Sequence, residues 1–305
     1  MQTSDQPQAP QAATEHISPR FRDLDRWPAS EVLLALWEGQ LAAVAAVKPC
    51  LPALASAVDA ALFRLVSGGR LVYVGAGTSG RIGVQDGAEL PPTFDWPEDR
   101  IVLLLAGGAA AFTRSIENAE DDRAAAEADV VAHAIGAKDV VIGTAASGST
   151  PYTVTAVVES ARRGALTIGI ANSPGSPLLA AAAHPILIET GAEAIAGSTR
   201  LGAGTAQKVV LNLISCLAMI RLGHIHRGLM VDMNARNAKL KARAVRMLRE
   251  LTGAEEATIR TALAEAGGRV KLAFLLLRGI DRGQAESLLA QYGGHLHAVL
   301  AGLGL

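Results

Sequence analysis

Apolar residues recur at helical spacing across residues 29–67. Leu33, Leu36, Leu41 and Val44 are followed by Leu54, Val58, Leu62 and Val66, with a break where Pro49 and Pro52 stand. The pattern then changes. Five short runs at 71–74, 101–105, 140–143, 166–170 and 185–188 are rich in β-formers, several are almost wholly apolar, and helical stretches separate them. Such runs read as parallel strands buried on both faces. Strands alternating with helices predict right-handed βαβ units. The expected fold is α/β, a doubly wound parallel sheet with helices on both faces, N-terminal helices and a small C-terminal helical bundle. Residues 204–222 form a helix too apolar all round for the surface, so it is expected in the core or against a second subunit. Residues 234–249 read as an amphipathic basic helix. Beyond them, 252–300 breaks into three short helical pieces at Gly267-Gly268 and Gly279, with Gly293-Gly294 interrupting the last. Leu263, Val270, Leu272, Leu275, Leu288 and Leu289 are its expected core. The chain thus divides into 1–58, a disordered start with N-terminal helices; 59–225, the α/β domain; and 226–305, the helical region.

Composition narrows the chemistry. The 305 residues suffice for one α/β domain with smaller appendages. Half are hydrophobic but only 4% aromatic, so small aliphatic side chains must build the core. Lys and Arg total 28 against 29 Asp and Glu, which gives no general attraction for nucleic acid. Any hold on an anion must be local. Cys50 and Cys216 lack a second cysteine or histidine at ligand spacing and are expected as buried packing thiols; no metal or cofactor is expected. The first 16 residues are polar and proline-containing, neither a signal peptide nor an anchor. No apolar run reaches about 18 residues without a charge, glycine or proline, so no membrane partner is expected and the cytoplasm is the default.

Two segments follow expected strands and open expected helices: Gly75-Ala76-Gly77-Thr78-Ser79-Gly80-Arg81 and Ala145-Ala146-Ser147-Gly148-Ser149-Thr150-Pro151. Helix N-termini attract anions through unpaired N–H groups, glycines admit close approach, and hydroxyls donate further bonds. The first segment also spells G-x-G-x-x-G. A dinucleotide site requires an acidic residue about 20 positions on, after the second strand. Here that strand runs into Ala106-Gly107-Gly108, and the dinucleotide reading fails. The two hydroxyl-rich loops resemble those of the SIS domain, a sugar-phosphate module. Thr78, Ser79, Gly80, Ser147, Gly148, Ser149 and Thr150 are the expected substrate contacts.

Two carboxylates are candidates for proton transfer. Glu89 precedes Leu90-Pro91-Pro92, and the prolines are expected to push Leu90 out of helical geometry, placing Glu89 at a helix C-terminus. The dipole there disfavours a carboxylate, which suits a proton donor. Glu120, in Ser115-Ile116-Glu117-Asn118-Ala119-Glu120-Asp121-Asp122, falls one helical turn after Ile116 beside an apolar face with Phe112 and Ala119. An acidic residue on such a helix is ordinarily a solvated charge, and spacing alone does not bring the two glutamates together.

A family resemblance adds to this. GAGTSGRIG at 75–83, ELPPTF at 89–94, ENAEDD at 117–122, ASGSTPY at 146–152, AGSTRLGAGTAQK at 196–208 and LMVD at 229–232 resemble, in order and spacing, the N-acetylmuramic acid 6-phosphate etherases. The resemblance spans roughly residues 55–300. It implies a SIS-type sheet, a ubiquitin-associated-like C-terminal bundle, and cleavage of a lactyl ether by elimination and rehydration, giving N-acetylglucosamine 6-phosphate and D-lactate. It also implies Glu89 as acid and Glu120 as base, no cofactor, a small-molecule sugar phosphate as partner, and a homodimer in the cytoplasm. Leu201-Gly202 departs from the family's usual Met-Lys. Arg200 and Lys208 either supply charge to the site or serve a helix start. The rivals are a sugar-phosphate-sensing regulator, which usually carries two such domains, an aldose–ketose isomerase, and a transcription regulator, for which no DNA-binding helix pair is evident.

Overall fold

The computed structural model describes residues 13–233 and 238–305, so the expected disordered start (apart from its last few residues) and the first residues of the basic helix lie outside it. In chain order its elements are α1 (Ala29–Ala45), α2 (Leu51–Val66), β1 (Leu71–Gly75), α3 (Gly77–Ala88), α4 (Leu90–Phe94), β2 (Ile101–Leu105), α5 (Arg123–Ala132), β3 (Val140–Ala145), α6 (Pro151–Arg162), β4 (Leu166–Ala171), α7 (Pro177–Ala181), β5 (His184–Leu187) and α8 (Gly202–Arg221). A two-stranded hairpin, β6 (Ile225–His226) and β7 (Leu229–Met230), precedes α9 (Ala238–Thr252), α10 (Glu256–Glu265), α11 (Val270–Leu277), α12 (Arg282–Gln291) and α13 (Leu296–Gly302). They form two compact units: Met1–Gly87 with Asp99–Ile214, and Ala88–Glu98 with Ser215–Leu305.

In the first unit all five expected strands form, and all pair in parallel, in the order β2-β1-β3-β4-β5. Val72, Val74, Val102, Leu104 and Val141 point to one face, where Val130 of α5, Tyr152 and Val157 of α6 and Leu178 of α7 bury them. α2 packs on the strands β3, β4 and β5 as well, so the sheet is covered on both faces. Each large aliphatic side chain so buried contributes about 1.5–3 kcal/mol. The break at Pro49 is a short 3₁₀ turn, Lys48–Cys50, between α1 and α2. Of the apolar residues at helical spacing, Leu54 and Val58 are buried, but Leu33, Leu41, Val44 and Val66 are exposed. α1 hides small residues, Ala35 and Ala43, and leaves its larger aliphatics outward.

Two stretches, Ala29–Val66 and Gly202–Arg221, are long and apolar enough to cross a membrane by length and composition alone. α8 behaves as a core helix: Val210, Leu211, Ile214, Ala218 and Met219 are buried. Cys50 is buried, and its thiol lies 2.9 Å from the Leu187 carbonyl. Cys216 is exposed, against expectation. It shares an outward stripe of α8 with Leu213 and Ile220, at the i, i+3, i+7 spacing of one helix face.

The amino-terminal edge of the sheet is stitched by arginines. Arg70 makes a bidentate pair with Asp139, both contacts at 2.8 Å, joining the starts of β1 and β3. Arg64 donates to the Ala137 and Gly164 carbonyls, and Arg100 to those of Leu65 and Gly69.

The second unit holds the bundle. Leu263, Val270, Leu272 and Leu275 are buried together, with Leu288 and Leu289 packed against them, as expected. Its last stretch is two helices rather than one, because Gly293 and Gly294 both take positive φ.

Asp139 gives a stability prediction. Burial pushes its carboxyl up, but hydrogen bonds and charge from Arg70 and the Gly136 N–H outweigh burial and hold it below the ordinary carboxylate range. A depressed carboxylate stabilises the fold above its unfolded pKa, and that stabilisation is lost as pH falls through the folded value. Asp139→Asn is expected to cost about 3 kcal/mol at neutral pH, since it strands a partly buried guanidinium. In chemical denaturation the gap between variant and parent should narrow in acid.

Candidate functional site

The hydroxyl-rich loops leave neighbouring strands. β1 and β3 pair in register, Gly75 opposite Thr144, so the two loops begin side by side at the carboxyl edge. β2 lies on the outer side of β1, which makes β1/β3 the point where strand order reverses. Ligands of open α/β sheets bind outside the carboxyl ends at such a point.

The glycines of the first loop are packing residues. A Cβ on Gly75 would lie 2.7 Å from the Gly80 Cα, and one on Gly80 would lie 2.4 Å from Leu105 Cδ1. Gly77 opens α3 with φ of 51°. Strand and helix therefore touch backbone to backbone, which places Thr78 and Ser79 in the first turn of α3. In the second loop the Ser149 hydroxyl and N–H both donate to Ser147 Oγ, at 3.1 and 3.2 Å. Gly148, at φ of 64°, packs so close to Ser176 that a Cβ would lie 2.1 Å from its Oγ. The Gly148 carbonyl accepts the Leu178 N–H at 2.9 Å, docking the loop onto α7. Thr150 is the N-cap of α6 and Pro151 its first residue. Tyr152 behind them is structural: its hydroxyl donates to Asp129 of α5, and burial, ahead of that carboxylate, pushes the phenol up.

Other residues shape this edge without having been legible as site residues. Arg81 donates to the carbonyls of Ala111 and Arg114, tying α3 to the segment that leads to Glu120. Asp86 accepts from Tyr73 of β1 and Asn212 of α8. Glu193 is buried and accepts the Gly202 and Ala203 N–H groups at 2.8 and 2.9 Å. Gln207 donates to Asn172 after β4, whose amide bonds the Ile188 carbonyl. A polar residue on an otherwise apolar helix was the available signal for Gln207; Asp86, on the mixed helix α3, had none. Nothing in local spacing marks Glu193, nine residues before the helix it caps. Thr14, also buried, accepts the Gly197 N–H. Lys208 bonds Asn212 on its own helix, and Arg200 is exposed.

The glutamates stand differently from expectation. Leu90 is helical, in α4, because Pro91 and Pro92 open a new helix instead of merely ending the old one. Neither proline can donate to the carbonyls of Gly87 and Ala88, so α3 stops and α4 restarts, with Glu89 at the joint in helical conformation. It abuts the end of one helix and the start of the next, so the expected dipole argument loses its footing. Residues 113–118 are not helical. Asn118 takes a left-handed φ of 59°, Glu120 sits in a 3₁₀ turn (Ala119–Asp121), and Asp122 accepts the Ala125 N–H as N-cap of α5. Both glutamates are exposed side chains. Glu89 belongs to the second unit, and Glu120 and the loops to the first.

The sequence is similar to those of known proteins. Residues 108–220 match the SIS domain, and residues 53–161 match the N-terminal SIS domain of glucokinase regulatory protein. The chain is 50% identical to the N-acetylmuramic acid 6-phosphate etherase of Deinococcus radiodurans over 94% of each chain. The Streptomyces coelicolor etherase is 48% identical, over 94% of this chain and 93% of its own. That of Serratia proteamaculans is 44% identical, over 94% and 97%. The chain belongs to the N-acetylmuramic acid 6-phosphate etherase family. Membership agrees with the five-stranded SIS-type sheet, which all the etherase motifs up to residue 208 flank, apart from ELPPTF.

The loop geometry generates a binding prediction for this etherase. Thr78→Val combined with Ser149→Ala removes two hydroxyl donors from the carboxyl edge. Each bond to a charged group contributes roughly 1.5–3 kcal/mol. Calorimetric titration with N-acetylglucosamine 6-phosphate should show affinity falling at least tenfold; unchanged affinity would place the phosphate elsewhere.

Proposed function

We propose that the chain cleaves the lactyl ether of N-acetylmuramic acid 6-phosphate, releasing D-lactate and N-acetylglucosamine 6-phosphate, as a cytoplasmic enzyme of amino-sugar recycling. The observation that supports this reading most is the pair of hydroxyl-rich loops on adjacent strands at the reversal point, in a chain half identical to a named etherase. The phosphate is held by Thr78, Ser79, Gly80, Ser147, Gly148, Ser149 and Thr150.

The chemistry is elimination followed by hydration. In the open-chain sugar the proton on carbon 2 is acidified by the neighbouring aldehyde. Glu120 removes it, the electron pair forms the carbon 2–carbon 3 double bond, and the lactate oxygen leaves carbon 3 with a proton from Glu89. Water then adds, its hydroxyl to carbon 3 and a proton to carbon 2. Two carboxylates suffice for these transfers. Glu89→Gln and Glu120→Gln are each expected to lower lactate release by about 10²–10⁴-fold while leaving phosphate affinity near normal. Glu117→Gln should change little. In heavy water, deuterium should enter carbon 2 of the product; in ¹⁸O water the label should enter carbon 3 and not the lactate. Labelled lactate would reject elimination. Sugar phosphate bound without lactate release would favour the regulator reading, to which the match with glucokinase regulatory protein lends some support.

The enzyme acts as a homodimer in this reading. The expected contact, α8, leaves the stripe of Leu213 and Ile220 outward, and α1 leaves Leu33, Leu34, Trp37 and Leu41 more than half exposed. Exposed apolar surface this contiguous marks an interaction face. Light scattering at micromolar concentration should give twice the chain mass, and Leu33→Asp with Trp37→Asp should shift it toward the monomer. A parent monomer overturns the dimer.

A further inference from the structure

The segment that carries Glu89 cannot hold its shape alone. α4 is five residues long, far below the length at which a helix is stable alone. Its position must come from tertiary contacts. Two aromatic side chains of the segment, Phe94 and Trp96, are buried and both meet the same ring. The His224 imidazole lies edge-on to them, with centroid separations of 6.3 Å and 5.8 Å. His224 Nδ1 in turn lies 2.8 Å from Asp232 Oδ2, and Lys271 Nζ lies 2.6 Å from the same oxygen. Asp95, between the two aromatics, lines with Asp232, Lys271 and Gly294 a cavity of about 200 Å³. All these residues belong to the second unit.

The ionic part of this chain stands out in a core that is otherwise largely apolar. Lys271 sits on α11 between Val270 and Leu272, all three buried. A buried ion pair contributes little net stability, and a well-packed aliphatic would serve a bundle at least as well. What the pair does is fix a direction. Lys271 donates to Asp232, the Asp232 carboxylate lies against the imidazole edge at Nδ1 without an aligned N–H bond, and the imidazole presents its ring to Phe94 and Trp96. Burial pushes the Asp232 carboxyl up, but the adjacent His224 imidazole and the Lys271 charge outweigh it and hold the group below the ordinary range.

We propose that His224 and Asp232, braced by Lys271, are positioning residues that set the place of Glu89 through the aromatic clamp on Phe94 and Trp96. The inference rests on Glu89 being the proton donor of the proposed reaction. It assigns the C-terminal bundle a part in turnover: its charged core orients a group five residues before the nearer clamped aromatic.

The test is a double-variant cycle on muramic acid 6-phosphate turnover with the full chain. His224→Phe keeps a ring against Phe94 and Trp96 but loses the polar contact with Asp232. Its kcat for lactate release should fall at least tenfold with KM within about twofold, and carbon 2 deuterium exchange should persist, because the base, Glu120, is untouched. Combined with Glu89→Gln, it should slow the reaction no further than Glu89→Gln alone, because residues that act as a unit are not additive. Lys271→Arg, which keeps the charge, should retain most activity where Lys271→Met loses it. Melting curves and circular dichroism identify a variant that merely unfolds; should His224→Phe do so, Asp232→Asn, which is nearly isosteric and keeps the ring against Phe94 and Trp96 but removes the charge beside it, is expected to fold and to show the same fall in kcat, and normal turnover there overturns the inference. Normal turnover in His224→Phe, or losses that multiply in the double variant, overturns the inference while leaving Glu89 in its role. Normal turnover in Glu89→Gln overturns the role of Glu89, and the inference falls with it.

Discussion

Direct pairing of β1 with β3 is the constraint on which the rest of the first unit depends. With β2 on one side of β1 and β3 on the other, the chain must leave the sheet in opposite directions after these two strands. Two helix starts are thereby set at one edge with a crevice between them. Parallel strands compel it, since every connection returns on the same hand and every strand ends on the same edge. The pairing is held at both ends by different means. At the amino edge, Arg70 and Asp139 bind the strand starts ionically. At the carboxyl edge, Gly75 and Gly80 touch without side chains and leave hydroxyls as the polar groups of the first turn. Several of the sheet's cations thus serve carbonyls and one carboxylate on the far side from the loops.

Much of this was legible because it repeats. Five apolar runs with helices between them can scarcely be anything but a parallel sheet, and all five strands form within two residues of the expected bounds. The loops were legible as helix starts, because glycine at the end of a strand followed by small hydroxyl residues marks a tight strand-to-helix turn. The bundle core could be read off leucine spacing. Errors arose where a local signal competed with the period. Across 112–120 the apolar spacing suggests a helix, but Asn118 favours left-handed backbone and Asp122 before Arg-Ala-Ala-Ala is an N-cap. At Glu89 the prolines that end one helix also open another. The apolar character of α8 predicts a buried Cys216, although a helix of 20 residues must turn some stripe outward. The residues of the His224 cluster lie too far apart in sequence, 39 positions between Asp232 and Lys271, for any spacing rule to join them.

Charge placement at the carboxyl edge follows from what an incoming phosphate would meet. Three long helices begin near it. α3 and α6 open directly after β1 and β3, and a Cβ on Gly204 of α8 would lie 3.4 Å from Thr78 Cγ2, so the first turn of α8 sits against that of α3. Three helix starts at one place would concentrate positive potential, yet only two are available to an anion. The first N–H groups of α8 are already taken by Glu193, buried beneath them. A carboxylate so bonded has its charge opposed by two backbone dipoles and repels a dianion less than an unbonded one would. The cap also explains why a glycine fits at 202, where a Cβ would come within 3.1 Å of the Glu193 oxygen. A larger residue there requires the Glu193 carboxylate to give by about a few tenths of an ångström, which strains the two bonds that cap α8. The departure from the family's usual residue at 202 therefore acts first on the cap of α8, and only through it on what the neighbouring loops hold.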